Sequence, residues 1–363
     1  MALFFQVWLY AWVTWMTMTL GCAALLYLHH AVRGKWSLVI LRTLEAGAKQ
    51  LLPMMFLGLP VVASVWMGES SIYPWLGELK NHPQVLPKAA YLNPARFTAF
   101  YFAYFVIWSF LATRLTNSAA TQDKSFDERE QTMRLTFGAW SMVIFMLSMT
   151  LAWVDWVMSL DPLWSSTMFP AWFMMGGCLM ALSFAAILLT SRMKEEPFNT
   201  AASGEVLKDI GNMLLTLTMV WAYFSLSQFL IMWSANIPTE VKYYQSRFDV
   251  PALNVMGGIL IAFQWLIPFL ALLAPRTKKQ PALLQKVAIL ILIMRFVDMF
   301  WTVVPFFMAK GKGIDTTTVL VNIAGMVVFG GVWLSLFFSD LRRHSPLPKH
   351  DARLEEALSH VQS

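Results

Sequence analysis

Apolar residues along the chain are gathered into nine long stretches separated by shorter polar segments. The stretches cover roughly 4–28, 50–67, 97–114, 136–159, 167–190, 211–235, 253–274, 284–308 and 317–339. A helix crosses the hydrocarbon core of a bilayer, about 30 Å thick, with about 20 apolar residues. The pattern therefore predicts an all-α, polytopic transmembrane helix bundle of about nine spans. We expect a single membrane domain over residues 1–340 and a polar tail over 341–363.

The composition supports this prediction, because charged residues make up 13% of the 363 residues and hydrophobic residues 58%. Soluble domains carry about 25% charged residues. So few ionic groups cannot cover a water-facing surface of this size, which leaves membrane lipids as the surroundings of the apolar side chains. The net charge of +6 would suit nucleic-acid binding in a soluble protein. Here basic loops explain it better, and no nucleic-acid partner is expected.

Basic residues are distributed unevenly between the two sets of loops that alternate along a nine-span chain. The loops after the odd-numbered spans, together with the tail, carry 19 Lys and Arg, whereas the loops after the even-numbered spans carry 7. Basic loops of membrane proteins remain in the cytoplasm. We therefore predict a periplasmic N-terminus, a cytoplasmic C-terminus and a location in the bacterial cytoplasmic (inner) membrane. The longest outer loop, 68–96, is predicted to form an ordered, aromatic-rich cap.

Two ionisable residues fall inside the eighth stretch, where the membrane makes charges costly and functional roles common. Arg295 and Asp298 are three positions apart, which places both on one helix face and close enough to pair. One interpretation is a proton-relay element or a contact with a quinone headgroup. The alternative is a structural ion pair that ties this helix to its neighbours.

Two aspartates lie at the end of the fourth stretch, which is rich in tryptophan. Asp155 is predicted near the outer end of its helix, where it could exchange protons with the periplasm. Asp161 is expected at the membrane interface, where it could belong to the same path or simply cap the next helix.

Further candidates for a proton path lie in the first and sixth stretches. His29 and His30 close the first stretch on its cytoplasmic side and could accept protons near neutral pH, or could meet lipid headgroups. Neighbouring helix positions point about 100° apart, so joint ligation of one metal or haem is not expected. Tyr223 and Gln228, in the sixth stretch, could line a water path or bond between helices.

No cofactor or metal site is predicted within this chain. Its two cysteines, Cys22 and Cys178, fall inside apolar stretches and show no metal-binding spacing. We interpret them as small apolar helix residues.

Several short motifs resemble a known family of membrane proteins. They occur in the family's order over nearly the whole chain, and they are Leu28-His29-His30, Gly34-Lys35-Trp36, Arg42 through Glu45-Ala46, Lys88-Ala89-Ala90-Tyr91-Leu92-Asn93, Asp155 through Pro162, Asp209-Ile210-Gly211-Asn212, Trp221-Ala222-Tyr223, Ser227 through Ile231 with Trp233-Ser234, Arg295-Phe296-Val297-Asp298 and Asp351 through Leu358. The chain thus resembles the ActF family, membrane subunits of bacterial alternative complex III (quinol:cytochrome c oxidoreductase) in the NrfD/PsrC-like superfamily.

This resemblance implies a membrane subunit without its own cofactor in a respiratory quinol-oxidising complex. It implies a related ActC-like membrane subunit as the site of quinol binding nearby. It also implies multihaem cytochrome c and iron–sulfur partner subunits that carry haem c and the clusters, with a terminal oxidase as a possible further partner. The role implied for this chain is a proton path made of half-channels. Family members usually have ten spans, and this chain begins near their second.

Two other functions remain open on the sequence. The chain could itself bind quinol as a catalytic subunit, with Asp155 or Asp298 as the base. It could also be a secondary transporter, for which inverted repeats and interrupted helices would be the signature.

Overall fold

The computed structural model describes residues 1–32, 34–308 and 315–349, apart from the side chain of Lys35, and these residues are almost entirely helical. Within them nine helical segments are long and apolar enough to cross a membrane, which confirms the predicted all-α, multi-pass architecture. We number them spans 1 to 9: Ala2–Val32, Trp36–Trp66, Pro94–Gln122, Glu128–Leu160, Met168–Arg192, Gly204–Ala235, Pro251–Leu273, Pro281–Phe307 and Thr316–Leu341.

Four of the spans consist of more than one helical segment. Span 2 contains a 3₁₀ turn and three α-helices, Lys35–Ile40, Leu41–Ala48, Leu51–Leu57 and Leu59–Trp66. Spans 4 and 8 end in 3₁₀ turns, Met158–Leu160 and Val304–Phe307, and span 7 contains a π-helical segment, Ile261–Leu266. Short helices in the connections are Pro74–Leu76, Leu86–Lys88, Phe198–Ala201, Pro238–Phe248 and Pro275–Lys279.

Span 1 lies at the centre of the bundle. Its most hydrophobic window is 100% buried by other parts of the chain, whereas the corresponding windows of spans 7 and 9 are 22% buried. A helix that is apolar all round is suited to such a position. A side chain at Gly21 would overlap the carbonyl of Gly177 in span 5. Small residues at this crossing therefore allow the two backbones to approach closely.

Span 2 begins 14 residues earlier than the predicted stretch 50–67, so Arg42 lies on a helix and Lys49 at a break within the span. The span is interrupted next to Lys49 and at Gly58, and both positions keep right-handed helical dihedral angles. The breaks are therefore small offsets in a continuous helical path. The broken helices of transporters instead contain unwound backbone.

The two ends of the bundle carry alternate loops, as nine crossings require. At the end that carries residue 1, which we call the N-face, Gln6 donates to the carbonyl of Ser71 at 3.2 Å. At the opposite end, the C-face, Lys49 forms an ion pair with Asp340 at 3.4 Å. Residues that are distant in sequence thus meet on each face.

The first part of the polar tail packs back on the C-face. Leu347 is 7% exposed, and the backbone N–H of Lys349 donates to Asp123 at 2.8 Å. His344 lies 2.8 Å from the amine of Lys49, and burial together with that charge lowers the pKa of His344 from its ordinary 6.5. The remainder of the tail, including the motif at 351–358, and the loop lysines Lys310 and Lys312 lie outside the described residues.

Candidate functional site: three buried clusters of ionisable residues

The first cluster lies towards the N-face, where spans 3 and 4 meet. Asp155 is 2% exposed and forms an ion pair with Arg96 at 2.8 Å. The Tyr104 hydroxyl donates to the second carboxylate oxygen at 2.7 Å. Arg96 occupies the first turn of span 3, where Asn93 caps the helix by accepting the Arg96 N–H. We call Arg96, Tyr104 and Asp155 the Asp155 cluster.

Aromatic rings separate this cluster from the N-face surface. The Arg96 guanidinium lies 3.4 Å from the ring centre of Tyr91 and 4.3 Å from that of Phe100. Burial and the charge of Asp155 raise the pKa of Tyr91. In the loop 68–93, Tyr73 is fully buried and donates to the carbonyl of Trp156 at 3.2 Å. The ordered aromatic cap that the sequence predicted therefore lies over Asp155.

The second cluster is the Arg295–Asp298 pair inside span 8. The predicted ion pair is present, and the two residues are 2% and 3% exposed. A side chain at Gly176 of span 5 would overlap the guanidinium, and the Trp221 ring of span 6 lies 5.9 Å from it. Arg295 Nε makes no hydrogen bond to any described residue. The pair thus lies among three spans, but both of its charges belong to one helix.

The third cluster lies at the C-face. His29 and His30 are 1% and 6% exposed, so they are buried and do not face the membrane interface. Their rings meet edge to face with centres 4.9 Å apart, and His29 Nδ1 shares a hydrogen bond with Ser37. Nearby, Arg42 bridges Glu45 at 2.6 Å and Asp123 at 2.5 Å.

A column of aromatic rings runs from the first cluster to Tyr27 of span 1, near the third cluster in sequence. Tyr104 stacks on Trp108 at 5.7 Å between ring centres, Trp108 meets Phe145 at 5.8 Å, and Phe145 meets Tyr27 at 5.1 Å. Tyr27 lies two residues before His29 in span 1. Phe145 has no polar atom and is fully buried, so this direct line between the clusters has a dry step.

Three predicted candidates lie outside the clusters. Tyr223 is 65% exposed and therefore lies on the outer surface of this chain, not in its interior. Gln228, five positions on, lies about 140° away around the helix. Gln228 is buried and lies beside a cavity near the N-face. Asp161 accepts the N–H of Leu163 at 3.1 Å. It closes a turn and does not cap span 5, whose N-cap is Thr167.

The sequence-based prediction missed Arg247, which was counted as an outer-loop residue. It is 1% exposed and donates to the carbonyls of Tyr243, Trp301 and Thr302 at 2.5, 3.1 and 2.7 Å. The last two carbonyls belong to the end of an α-helix, where backbone acceptors lack helical partners. Arg247 thus joins the connecting helix Pro238–Phe248 to span 8. The helix that carries Arg247 is polar on average, and no sequence pattern distinguishes Arg247 from a surface arginine.

Comparison with known proteins does not assign the chain to a family. No protein-family model matches the chain, and no curated protein is significantly similar to it. Within residues 1–32, 34–308 and 315–349, no three His, Cys, Asp or Glu side chains group together closely enough to hold a metal ion.

Proposed function

We propose that this chain is an integral membrane subunit of a respiratory quinol:electron-acceptor oxidoreductase of the alternative complex III type. In this proposal it lies beside an ActC-like quinol-binding subunit and conducts protons. The family resemblance supports the type of complex, and the nine spans support a multi-pass membrane location. The uneven distribution of Lys and Arg supports an inner-membrane orientation with the C-face in the cytoplasm.

The observation that carries the proton path is the placement of Arg295 and Asp298 on one helix. Arg96–Asp155 joins spans 3 and 4, and Arg42–Asp123 reaches from span 2 to the end of span 3, so these two pairs also serve packing. Both charges of the pair in span 8 belong to one helix, and its contacts with spans 5 and 6 are with the uncharged residues Gly176 and Trp221.

A charged residue at the centre of a membrane helix costs about 2.5–3.5 kcal/mol. An ion pair within one helix does not use its charges to tie that helix to a neighbour, so little interhelical attraction between charges offsets that cost. For Arg295 and Asp298 we therefore favour a role in charge or proton transfer over that of an ion pair that connects neighbouring helices.

The arrangement of the clusters is consistent with two half-channels. The Asp155 cluster lies towards the N-face and the histidine cluster at the C-face, with the dry ring column between them. The Arg295–Asp298 pair lies away from that column, among spans 5, 6 and 8. In the proposed mechanism a proton enters at His29 and His30, reaches Asp298 through ordered water, and leaves through Asp155. Electrons are carried by the haem c and iron–sulfur groups of partner subunits.

The first experiment tests membership of the complex. The tagged chain is extracted from its native membranes in a mild detergent, and the co-migrating proteins are identified by mass spectrometry. Multihaem cytochrome c, iron–sulfur and ActC-like subunits are expected. Their absence, with the chain intact and folded, would refute the class of complex.

The second experiment tests the path itself in proteoliposomes that contain the purified complex and a pH-sensitive dye. Asp155→Asn and Asp298→Asn are expected to lower the number of protons moved per electron, while quinol oxidation continues. Asp209→Asn, an exposed aspartate at the C-face end of span 6, is the matched control. Wild-type proton yields in both buried variants would exclude these residues from the path, whereas loss of quinol oxidation would favour a catalytic role.

A further inference from the structure

A cavity of about 490 Å³ lies near the N-face, between spans 4, 5 and 6 and the connecting helix Pro238–Phe248. Its walls are mostly apolar and include Val154, Met158, Met168, Ile231 and Met232. Ile231 is 59% exposed on the outer surface of the bundle, so the cavity opens sideways, towards the bilayer. Small-molecule sites typically have this size and an apolar lining with a few polar groups.

The first polar feature of the cavity is the start of span 5. Ser165, Ser166 and Thr167 line the cavity immediately before the helix Met168–Arg192, and no side chain caps that helix. The first N–H groups of a helix lack internal acceptors, and the helix dipole makes this end attractive to anions. The Ser166 hydroxyl already donates to Gln228, so the hydroxyl groups of Ser165 and Thr167 and the helix N-terminus provide the hydrogen-bond donors suited to a phosphate.

The second polar feature is Gln228, which is 1% exposed and lines the cavity. Its Oε1 accepts from the Ser166 hydroxyl at 3.4 Å. Its Nε2 makes no hydrogen bond to a described residue, although the Tyr244 hydroxyl is near enough to interact with the carboxamide. A buried donor without an acceptor costs about 1–3 kcal/mol. A ligand oxygen in the cavity would remove that cost.

The third polar feature is the carboxylate of Glu240, which is half-buried in the first turn of the connecting helix. The cavity lining contains no lysine or arginine among the described residues. A purely anionic ligand would therefore meet an uncompensated negative charge. A ligand that also carries a cation with N–H donors would pair with Glu240.

We propose that this cavity binds a zwitterionic phospholipid with a primary amine, that is, a phosphatidylethanolamine. The phosphate lies against the start of span 5 and its hydroxyl groups, the ammonium pairs with Glu240, and one acyl chain follows the apolar wall into the bilayer. A phosphatidylcholine has the same phosphate but no N–H to donate, and a phosphatidylglycerol has no cation. This proposal is independent of the proposed function, because it requires neither partner subunits nor redox chemistry.

The test uses the purified, delipidated full chain in detergent and native mass spectrometry with three dioleoyl lipids: phosphatidylethanolamine, phosphatidylcholine and phosphatidylglycerol. The ethanolamine lipid is expected to bind most tightly. Glu240→Gln is expected to weaken its binding about tenfold, the effect of losing one charge-assisted hydrogen bond, and to remove its advantage over phosphatidylcholine. Gln228→Leu is expected to weaken all three lipids.

Glu78→Gln is the matched control, because Glu78 is an exposed acid on the same face and does not line the cavity. A melting curve for each variant separates a loss of binding from a loss of folding. Equal affinity for the three lipids, or the same effect from both Glu→Gln variants, would overturn the proposal. Displacement of the ethanolamine lipid by decylubiquinol at a lower concentration would also overturn it and would assign the cavity to a quinol.

Discussion

Replacing the two members of the Arg295–Asp298 pair singly and together measures what the pair contributes to folding. Asp298→Asn leaves the charge of Arg295 in a site where the side chain is 2% exposed, and Arg295→Met leaves the Asp298 carboxylate in a similar site. Breaking a buried pair from one side typically costs about 3–5 kcal/mol, because one charge stays uncompensated. We expect each single variant to lose an amount in this range.

The double variant Arg295→Met/Asp298→Asn should lose much less than the sum of the two single losses. Removing both charges abolishes both desolvation costs, and it also removes Arg295 Nε, which has no hydrogen-bond partner among the described residues. Replacement of a whole buried pair is often neutral or stabilising. The expected coupling energy is therefore at least about 2 kcal/mol, measured by reversible denaturant unfolding in mixed micelles with tryptophan fluorescence.

The same three variants separate structure from function. A double variant that is as stable as wild type but moves no protons would mean that the charges are retained for transport. A double variant that keeps normal proton yields would mean that they are dispensable for it. If the loss in the double variant equals the sum of the single losses, the two side chains do not interact energetically, and the reasoning from the buried pair is refuted.

Three further predictions follow from particular contacts. Arg247→Lys should cost about 3 kcal/mol in the free energy of unfolding, because an ammonium cannot reproduce the fork of bonds to helix-end carbonyls. Gly176→Ala should lower the melting temperature, because the added methyl group overlaps the Arg295 guanidinium. His344 is expected to release the docked tail as the pH falls from about 7.5 to about 5, seen as lower amide protection factors over 342–349, each measured relative to the unfolded chain at the same pH. Its lowered pKa means that the docked state favours the neutral ring.

Each of these predictions has a control in the same chain. Arg276→Lys, on an exposed arginine, should leave stability unchanged. Gly331→Ala has open space around the new methyl group and should be neutral or stabilising by up to about 1 kcal/mol. In His344→Gln the protection factors of the tail should no longer depend on pH in this range. Equal effects in variant and control would contradict the corresponding contact.

The positions of the spans could be predicted from the sequence, because a bilayer imposes one length and one polarity on every crossing helix. The start of span 2 could not be predicted in this way. Residues 36–49 include Arg42, Glu45 and Lys49, which read as a polar loop, but these residues form a helix whose charges are satisfied by partners. Asp123, the decisive partner of Arg42, lies 81 positions away.

The candidate site was predictable only where its partners are close in sequence. The spacing of Arg295 and Asp298 was sufficient to predict their ion pair, because helical geometry determines which positions share a face. Asp155 was singled out from the sequence as a candidate near the outer end of its helix, but its partner Arg96 could not be, because it lies 59 positions earlier and resembles an interface arginine. The sequence also could not place Tyr223, which lies on the outer surface of span 6, since a polar side chain in a span need not face the interior.

The ring column decides which kind of proton path this bundle can contain. Along the ring column, Phe145 contacts both Tyr27 and Trp108 and has no group that accepts or donates a proton. The Tyr27 hydroxyl reaches past it only to the backbone carbonyl of Trp108, at 3.4 Å, and an amide carbonyl does not pass a proton on. Water could replace that step only in a polar cavity, and this part of the core is tightly packed with aromatic rings. The column itself therefore provides no proton path, and the proposed path uses ionisable groups elsewhere in the interior. Among the described residues, the Arg295–Asp298 pair is the buried carboxylate site that lies outside both end clusters. Its behaviour under substitution thus bears more directly on the path than that of either cluster.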